Sequence, residues 1–295
     1  MISAFLGVAI TISLSACGSA EQPPPQTVFG GDRPVELLVP VGHDADTPAP
    51  LLIVLHGFGV TGLLELGYSR LDKLISREGL LVLAPDGTRD LEGNPFWNVE
   101  SPSCQLELGG APPNDVEYLI GLIDEVSAEW AIDPKRVYVF GHSNGAFMAH
   151  RLACDHASQI AAIVSLAGTR LFDELDCTPT EAVSILQLHG DADDTVLYGG
   201  GTEIQGIPCA YPSAKETVAL WAPHGGCAAT LEDSSIRLDL DSSIDGDETR
   251  VERHPSCSGS LAVELWTIEG GEHIPTFRND VHLPIWDFLS SHPKP

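Results

Sequence analysis

Val137-Tyr138-Val139-Phe140-Gly141-His142-Ser143-Asn144-Gly145 is the stretch that decides the fold. Residues 137–140 are β-formers and read as a buried strand. Residues 144–153 read as a helix. Between them sits Gly-x-Ser-x-Gly, the turn that lifts a serine hydroxyl out of the end of a sheet. Glycine on both sides lets the backbone pass close to its neighbours. The helix that follows aims its first N–H groups at the space beside the serine. Ser143 is therefore the candidate nucleophile.

The same alternation runs outward from this turn. Leu51-Leu52-Ile53-Val54-Leu55-His56 is a short apolar run that reads as a fully buried strand. Residues 80–84 read alike and are stopped by Pro85-Asp86-Gly87. Leu64, Leu71, Leu74 and Ile75 predict one amphipathic helix over 63–77. Asn114 or Asp115 caps a second helix, whose Val116, Leu119, Ile120, Ile123 and Val126 recur at three- and four-residue steps. Further strands are expected at 160–166, 183–188 and 261–268, and helices at 213–221 and 280–290. Strands alternating with helices predict an α/β fold with a doubly wound, mostly parallel sheet in a single catalytic domain over 31–295. Residues 232–252 differ: they are acidic, alternate over 236–240 and turn near Asp245-Gly246, predicting a surface hairpin. Its aspartates do not follow the spacing of a calcium loop.

A serine nucleophile needs a base, and the base needs a carboxylate to orient it. The chain order that goes with this turn is serine, acid, histidine. His189-Gly190-Asp191-Ala192-Asp193-Asp194 follows one predicted strand and Gly270-Gly271-Glu272-His273 follows another. His273 is the candidate base, with Asp193 as its acid and Asp191 and Asp194 as local rivals. His142 lies beside the nucleophile with its ring turned away. An oxyanion needs two N–H donors, assigned to the backbones of Asn144 and of Phe58 in His56-Gly57-Phe58-Gly59. Since backbone groups do this, the side chains at both positions are expected to be free to vary.

Forty-two acidic residues against 15 basic ones give a formal net charge of −27. That excludes a nucleic-acid grip, which needs cationic surface, and electrostatic docking on anionic lipid. A hydrophobic fraction of 43% excludes a disordered chain. Residues 2–16 are apolar or small, shorter than the roughly 20 needed to cross a bilayer. They read as a signal peptide over 1–16. Leu14-Ser15-Ala16-Cys17 is similar to a bacterial lipobox, which makes Cys17 the candidate lipidation site, although no Lys or Arg precedes the apolar run. Residues 17–30, with three consecutive prolines, read as a tether. The seven cysteines less Cys17 leave six, an even number that suits an exported, disulfide-bonded chain. Short loops favour Cys154–Cys177 and Cys227–Cys257, leaving Cys104–Cys209 by elimination.

Together these motifs resemble the exported polyhydroxybutyrate depolymerase/feruloyl esterase family, a branch of the α/β-hydrolases, over about residues 35 to 289. The resemblance rests on Leu55-His56-Gly57, Ala84-Pro85-Asp86-Gly87, Phe96-Trp97-Asn98, Arg136-Val137-Tyr138-Val139, the Ser143 turn, and Gly270-Gly271-Glu272-His273. The family's acid pattern, His-Gly-x-x-Asp-x-x-Val-x-Tyr, maps onto His189, Gly190, Asp193, Val196 and Tyr198, and so favours Asp193. The resemblance implies an exported serine esterase of the bacterial cell envelope with no metal or organic cofactor. Its partner would be a small or polymeric ester such as a hydroxyalkanoate, a feruloyl or acetyl sugar or a related polyester. The chain would be a monomer that meets a membrane only through a lipid anchor. Trp97, Tyr198 and His142 are the expected substrate-binding residues. Phe58 stands where depolymerases often carry Cys, Ile274-Pro275 shortens the segment after His273, and no extra substrate-binding domain fits. These departures point away from crystalline polyester. The rival readings are a serine peptidase of the prolyl-oligopeptidase type, against which the lack of a propeller speaks, and a non-catalytic surface binding protein.

Overall fold

In chain order the strands and helices are β1 (Val28–Phe29), β2 (Val35–Leu38), β3 (Ala49–Leu55), α1 (Gly62–Tyr68), α2 (Asp72–Glu78) and β4 (Leu81–Leu83). Then come β5 (Thr88–Arg89), β6 (Pro95–Phe96), α3 (Asp115–Glu129), β7 (Ile132–His142), α4 (Asn144–Asp155), β8 (Ala162–Leu166) and β9 (Ser184–Gly190). The rest are β10 (Gly201–Ile204), β11 (Ile207–Tyr211), α5 (Ala214–Trp221), β12 (Glu232–Leu238), β13 (Thr249–Arg253), β14 (Val263–Ile268) and α6 (His282–Ser291). The computed structural model describes residues 24–99, 104, 112–171 and 177–295. The expected signal peptide and Cys17 lie outside the described residues.

Ten strands form one sheet in the order β1-β2-β4-β3-β7-β8-β9-β14-β13-β12. The central neighbours, from β4 through β14, pair in parallel, and both edges are antiparallel. β3 shows why the centre can be uniformly apolar. Its Leu51, Ile53 and Leu55 pack with α3, α4 and α5 on one face, while Leu52 and Val54 pack with α1, α2 and α6 on the other. A period of two buried on both sides leaves no polar face. Leu74 of α2 is wholly buried, and Leu74→Ala would cost about 3 kcal/mol. This is the expected α/β-hydrolase architecture. Parallel strands bring the loops after β7, β9 and β14 to one edge of the sheet, where ligands of open α/β sheets bind.

One expectation needs correction and another needs extending. The single helix over 63–77 is two helices, because Ser69 Oγ bonds back to the Glu65 carbonyl at 2.8 Å and Arg70 turns to φ 61°. The acidic hairpin forms where expected, with β12 largely exposed, and is also part of a larger sheet. β13 pairs with β14, so the hairpin forms the last two strands of the main sheet. The three disulfides are Cys104–Cys209, Cys154–Cys177 and Cys227–Cys257, the pairs expected. Asn114 caps α3 through the Glu117 N–H. Among the described residues no helix is long and apolar enough to cross a membrane.

Candidate active site

The chain turns at Ser143 with φ 53° and ψ −117°, a conformation that L-residues rarely hold. The two glycines make it feasible. A Cβ at Gly141 would lie 2.2 Å from the Gly145 carbonyl oxygen, and one at Gly145 would lie 2.3 Å from that of Leu55. Backbone occupies both spaces, so only hydrogen fits. Strain at Ser143 places its Oγ 3.0 Å from His273 Nε2. His273 Nδ1 faces Asp193 Oδ2 at 2.8 Å. The three side chains come from loops after β7, β14 and β9.

Asp193 is buried and heavily hydrogen-bonded. Its Oδ1 accepts from the Thr195 and Val196 N–H groups, each at 2.9 Å. Its Oδ2 meets His189 Nε2 at 3.2 Å as well as His273. Burial opposes the charge, but the hydrogen bonds from His189 and His273 outweigh it and hold the carboxyl below its ordinary range. The rival carboxylates face elsewhere. Asp191 Oδ1 accepts from the Gly270 N–H at 2.6 Å, and Asp194 Oδ1 from the Thr195 hydroxyl at 3.3 Å.

The Phe58 and Asn144 N–H groups donate to no acceptor among the described residues. Both residues line a cleft of about 550 Å³ that also holds Ser143 and His273. Its walls are mainly apolar: Phe96, Trp97, Val99, Phe147, Val196, Ile204, Ile207 and the Cys104–Cys209 disulfide. Trp97 lines the cleft and is also nearly fully buried, its indole N–H donating to the His56 carbonyl at 3.1 Å. The Asn144 side chain is not free to vary. Its Oδ1 accepts from the Trp97 N–H at 2.6 Å and its Nδ2 donates to the Trp97 carbonyl at 2.9 Å, fastening the Trp97 loop to the turn.

Tyr198 does not line the cleft. Its hydroxyl pairs with Thr267 Oγ1 at 2.8 Å and its ring packs edge-on against His189, behind the acid loop. His142 lines the cleft, but both its nitrogens are occupied. Nδ1 faces Glu65 Oε2 and Nε2 faces the His273 carbonyl, each at 3.2 Å. Burial works against charging this ring; Glu65 outweighs it and raises its pKa above the ordinary value. Glu65, Tyr68 and the hairpin of β10 and β11 are cleft elements that the sequence reading missed.

The family profile described as Esterase PHB depolymerase matches residues 35–214, a span that includes Ser143 and Asp193. Feruloyl esterase B of Piromyces equi is 30% identical over 269 residues, covering 89% of this chain and 46% of its own length. Poly(3-hydroxyalkanoate) depolymerase C of Paucimonas lemoignei is 25% identical over 252 residues, covering 80% of this chain and 56% of its own. The chain thus spans about half the length of these relatives. The acetyl xylan esterase from Aspergillus awamori has the same fold, with a TM-score of 0.60 at 16% identity over 90% of this chain and 98% of that one. With more than half of its length matched by the profile, the chain belongs to the PHB depolymerase esterase family.

Proposed function

We propose that the chain is a serine carboxylic ester hydrolase working through Ser143, His273 and Asp193. The observation that carries this reading is the unbroken hydrogen-bond line from Asp193 through His273 to Ser143, opening on an apolar cleft. His273 Nε2 takes the Ser143 proton as Oγ attacks the ester carbonyl. The Phe58 and Asn144 N–H groups, which have no acceptor among the described residues, receive the oxyanion. His273 then gives its proton to the departing alcohol, and water reverses the sequence on the acyl-enzyme. Asp193 stays ionised and stabilises the imidazolium, which its low pKa supports.

The apolar walls suit an uncharged acyl group. Hydroxyalkanoate oligomers, feruloylated and acetylated sugars and aromatic polyesters are the classes to compare with purified protein. Ser143→Ala is expected to lower kcat on p-nitrophenyl acetate about 10⁶-fold while leaving the fold intact. Unchanged turnover in that variant would sink the mechanism. We further infer that the chain is exported and anchored through Cys17; the three disulfides support an oxidising compartment. Incorporation of labelled palmitate, lost in Cys17→Ser, is the expected result. Equal labelling of both would overturn the anchor.

A further inference from the structure

We infer that Gln187 and His150 are positioning residues that fix the tautomer of His189 and, through it, hold Asp193 in line with His273. This inference rests on the Ser143–His273–Asp193 reading above. A single file of polar contacts leads to the acid from the sheet face that α4 and α5 cover. Trp221 Nε1 of α5 lies 3.1 Å from His150 Nδ1 of α4. His150 Nε2 lies 3.2 Å from Gln187 Oε1 of β9. Gln187 Nε2 lies 3.2 Å from His189 Nδ1, and His189 Nε2 lies 3.2 Å from Asp193 Oδ2. His150, Gln187 and His189 are fully buried.

The direction of this file is fixed from both ends. An indole N–H can only donate, so His150 Nδ1 is bare and its proton sits on Nε2. That proton goes to Gln187 Oε1, which turns the amide nitrogen toward His189. The Gly168 carbonyl, which can only accept, demands the same amide orientation, since Gln187 Nε2 lies 2.6 Å from it. His189 Nδ1 therefore accepts, and its proton sits on Nε2. There it faces two acceptors, the Val196 carbonyl at 2.8 Å and Asp193 Oδ2.

The opposite tautomer would aim a lone pair at both oxygens in a dry interior, where unmatched polar groups cost most. Asp193 Oδ2 would lose one of its two donors and its fixed rotation. The groups around the outer end of the file keep His150 neutral. The Arg170 guanidinium lies over Trp221 at 5.3 Å, and His224 packs edge-on to that ring at 5.8 Å. Burial, aided by Arg170, pushes the pKa of His150 down to about 3. At the other end the Tyr198 ring packs edge-on to His189 at 5.7 Å.

Asp193 matters most when the imidazolium forms, so loosening it should lower kcat and spare KM. The test uses full-length protein with ¹⁵N-labelled histidine. In the wild type, His150 and His189 are expected as neutral Nε2–H tautomers. Gln187→Met keeps the volume and removes both links. It should lower kcat about tenfold with KM unchanged, the scale of one hydrogen bond to a charged group, and should release the His189 tautomer. Gln187→Glu keeps the acceptor for His150 but offers His189 no donor. Its ring should then be found protonated on both nitrogens, and kcat should acquire a new pH dependence.

An Nδ1–H tautomer of His189 in the wild type would overturn the inference. So would Gln187→Met with wild-type kcat and an unchanged His189 spectrum. Failure of the catalytic reading is distinguishable, because Ser143 would then resist a fluorophosphonate in the wild type as well.

Discussion

Two histidine–carboxylate pairs stand side by side next to Ser143. The rings of His273 and His142 are 5.4 Å apart, and each has a carboxylate at Nδ1: Asp193 at 2.8 Å and Glu65 at 3.2 Å. The difference lies at Nε2. In His273 it faces a hydroxyl, which can give up a proton. In His142 it faces the His273 carbonyl, which can only accept. One ring therefore keeps a lone pair, which the proposed mechanism uses as its base. The other must donate on both sides, is best served by a proton on each nitrogen, and steadies the backbone of its neighbour. A carboxylate beside a histidine does not make a base; what faces the second nitrogen decides.

The comparison can be broken at five residues. Asp193→Asn should cost about 10⁴ in kcat, since an amide favours the wrong tautomer of His273. Asp191→Asn and Asp194→Asn should stay within about twofold, because neither carboxylate touches the ring. Kinetics on one soluble ester would rank all three, and an equal loss at Asp191 or Asp194 would reassign the acid. Asn144→Ala removes both bonds to Trp97 and should lower kcat/KM by roughly 30-fold, about 2 kcal/mol, with much of the loss in KM as that cleft wall loosens.

Glu65→Gln should lower kcat about tenfold, through a less firmly held His273, without abolishing activity. Its effect on stability should depend on pH. The pKa of His142 is raised in the fold above an unfolded value of about 6.5. The stabilisation from this pair is thus complete below about pH 6.5 and is lost as pH rises through the raised native value. The gap in Tm between wild type and Glu65→Gln should be widest in mild acid and narrow toward alkaline pH. A gap that widens instead would mean that His142 is neutral.

The line from Ser143 to Asp193 was legible in the sequence because each member follows a buried apolar strand within a few residues. Order along the chain then left little choice. Glu65 was not legible. A glutamate in an amphipathic helix reads as solvated, and its partner His142 lies 77 residues away. The Trp221–His150–Gln187–His189 file was invisible for the same reason, since its members come from α5, α4 and β9 with no shared local pattern. Tyr198 was read into the cleft because the acid motif carries it, but the turn that presents Asp193 sends it behind the loop. The hairpin of β10 and β11 escaped notice because strands this short hold too little period-two signal.

The central claim is that Ser143 is the nucleophile, and a fluorophosphonate ester tests it most directly. Mass spectrometry of the treated wild type should find one phosphonyl group on the peptide holding Ser143, in step with loss of esterase activity. Ser143→Ala should remain unlabelled under the same conditions. Labelling at another residue, or full activity in a protein whose Ser143 is modified, would contradict the account.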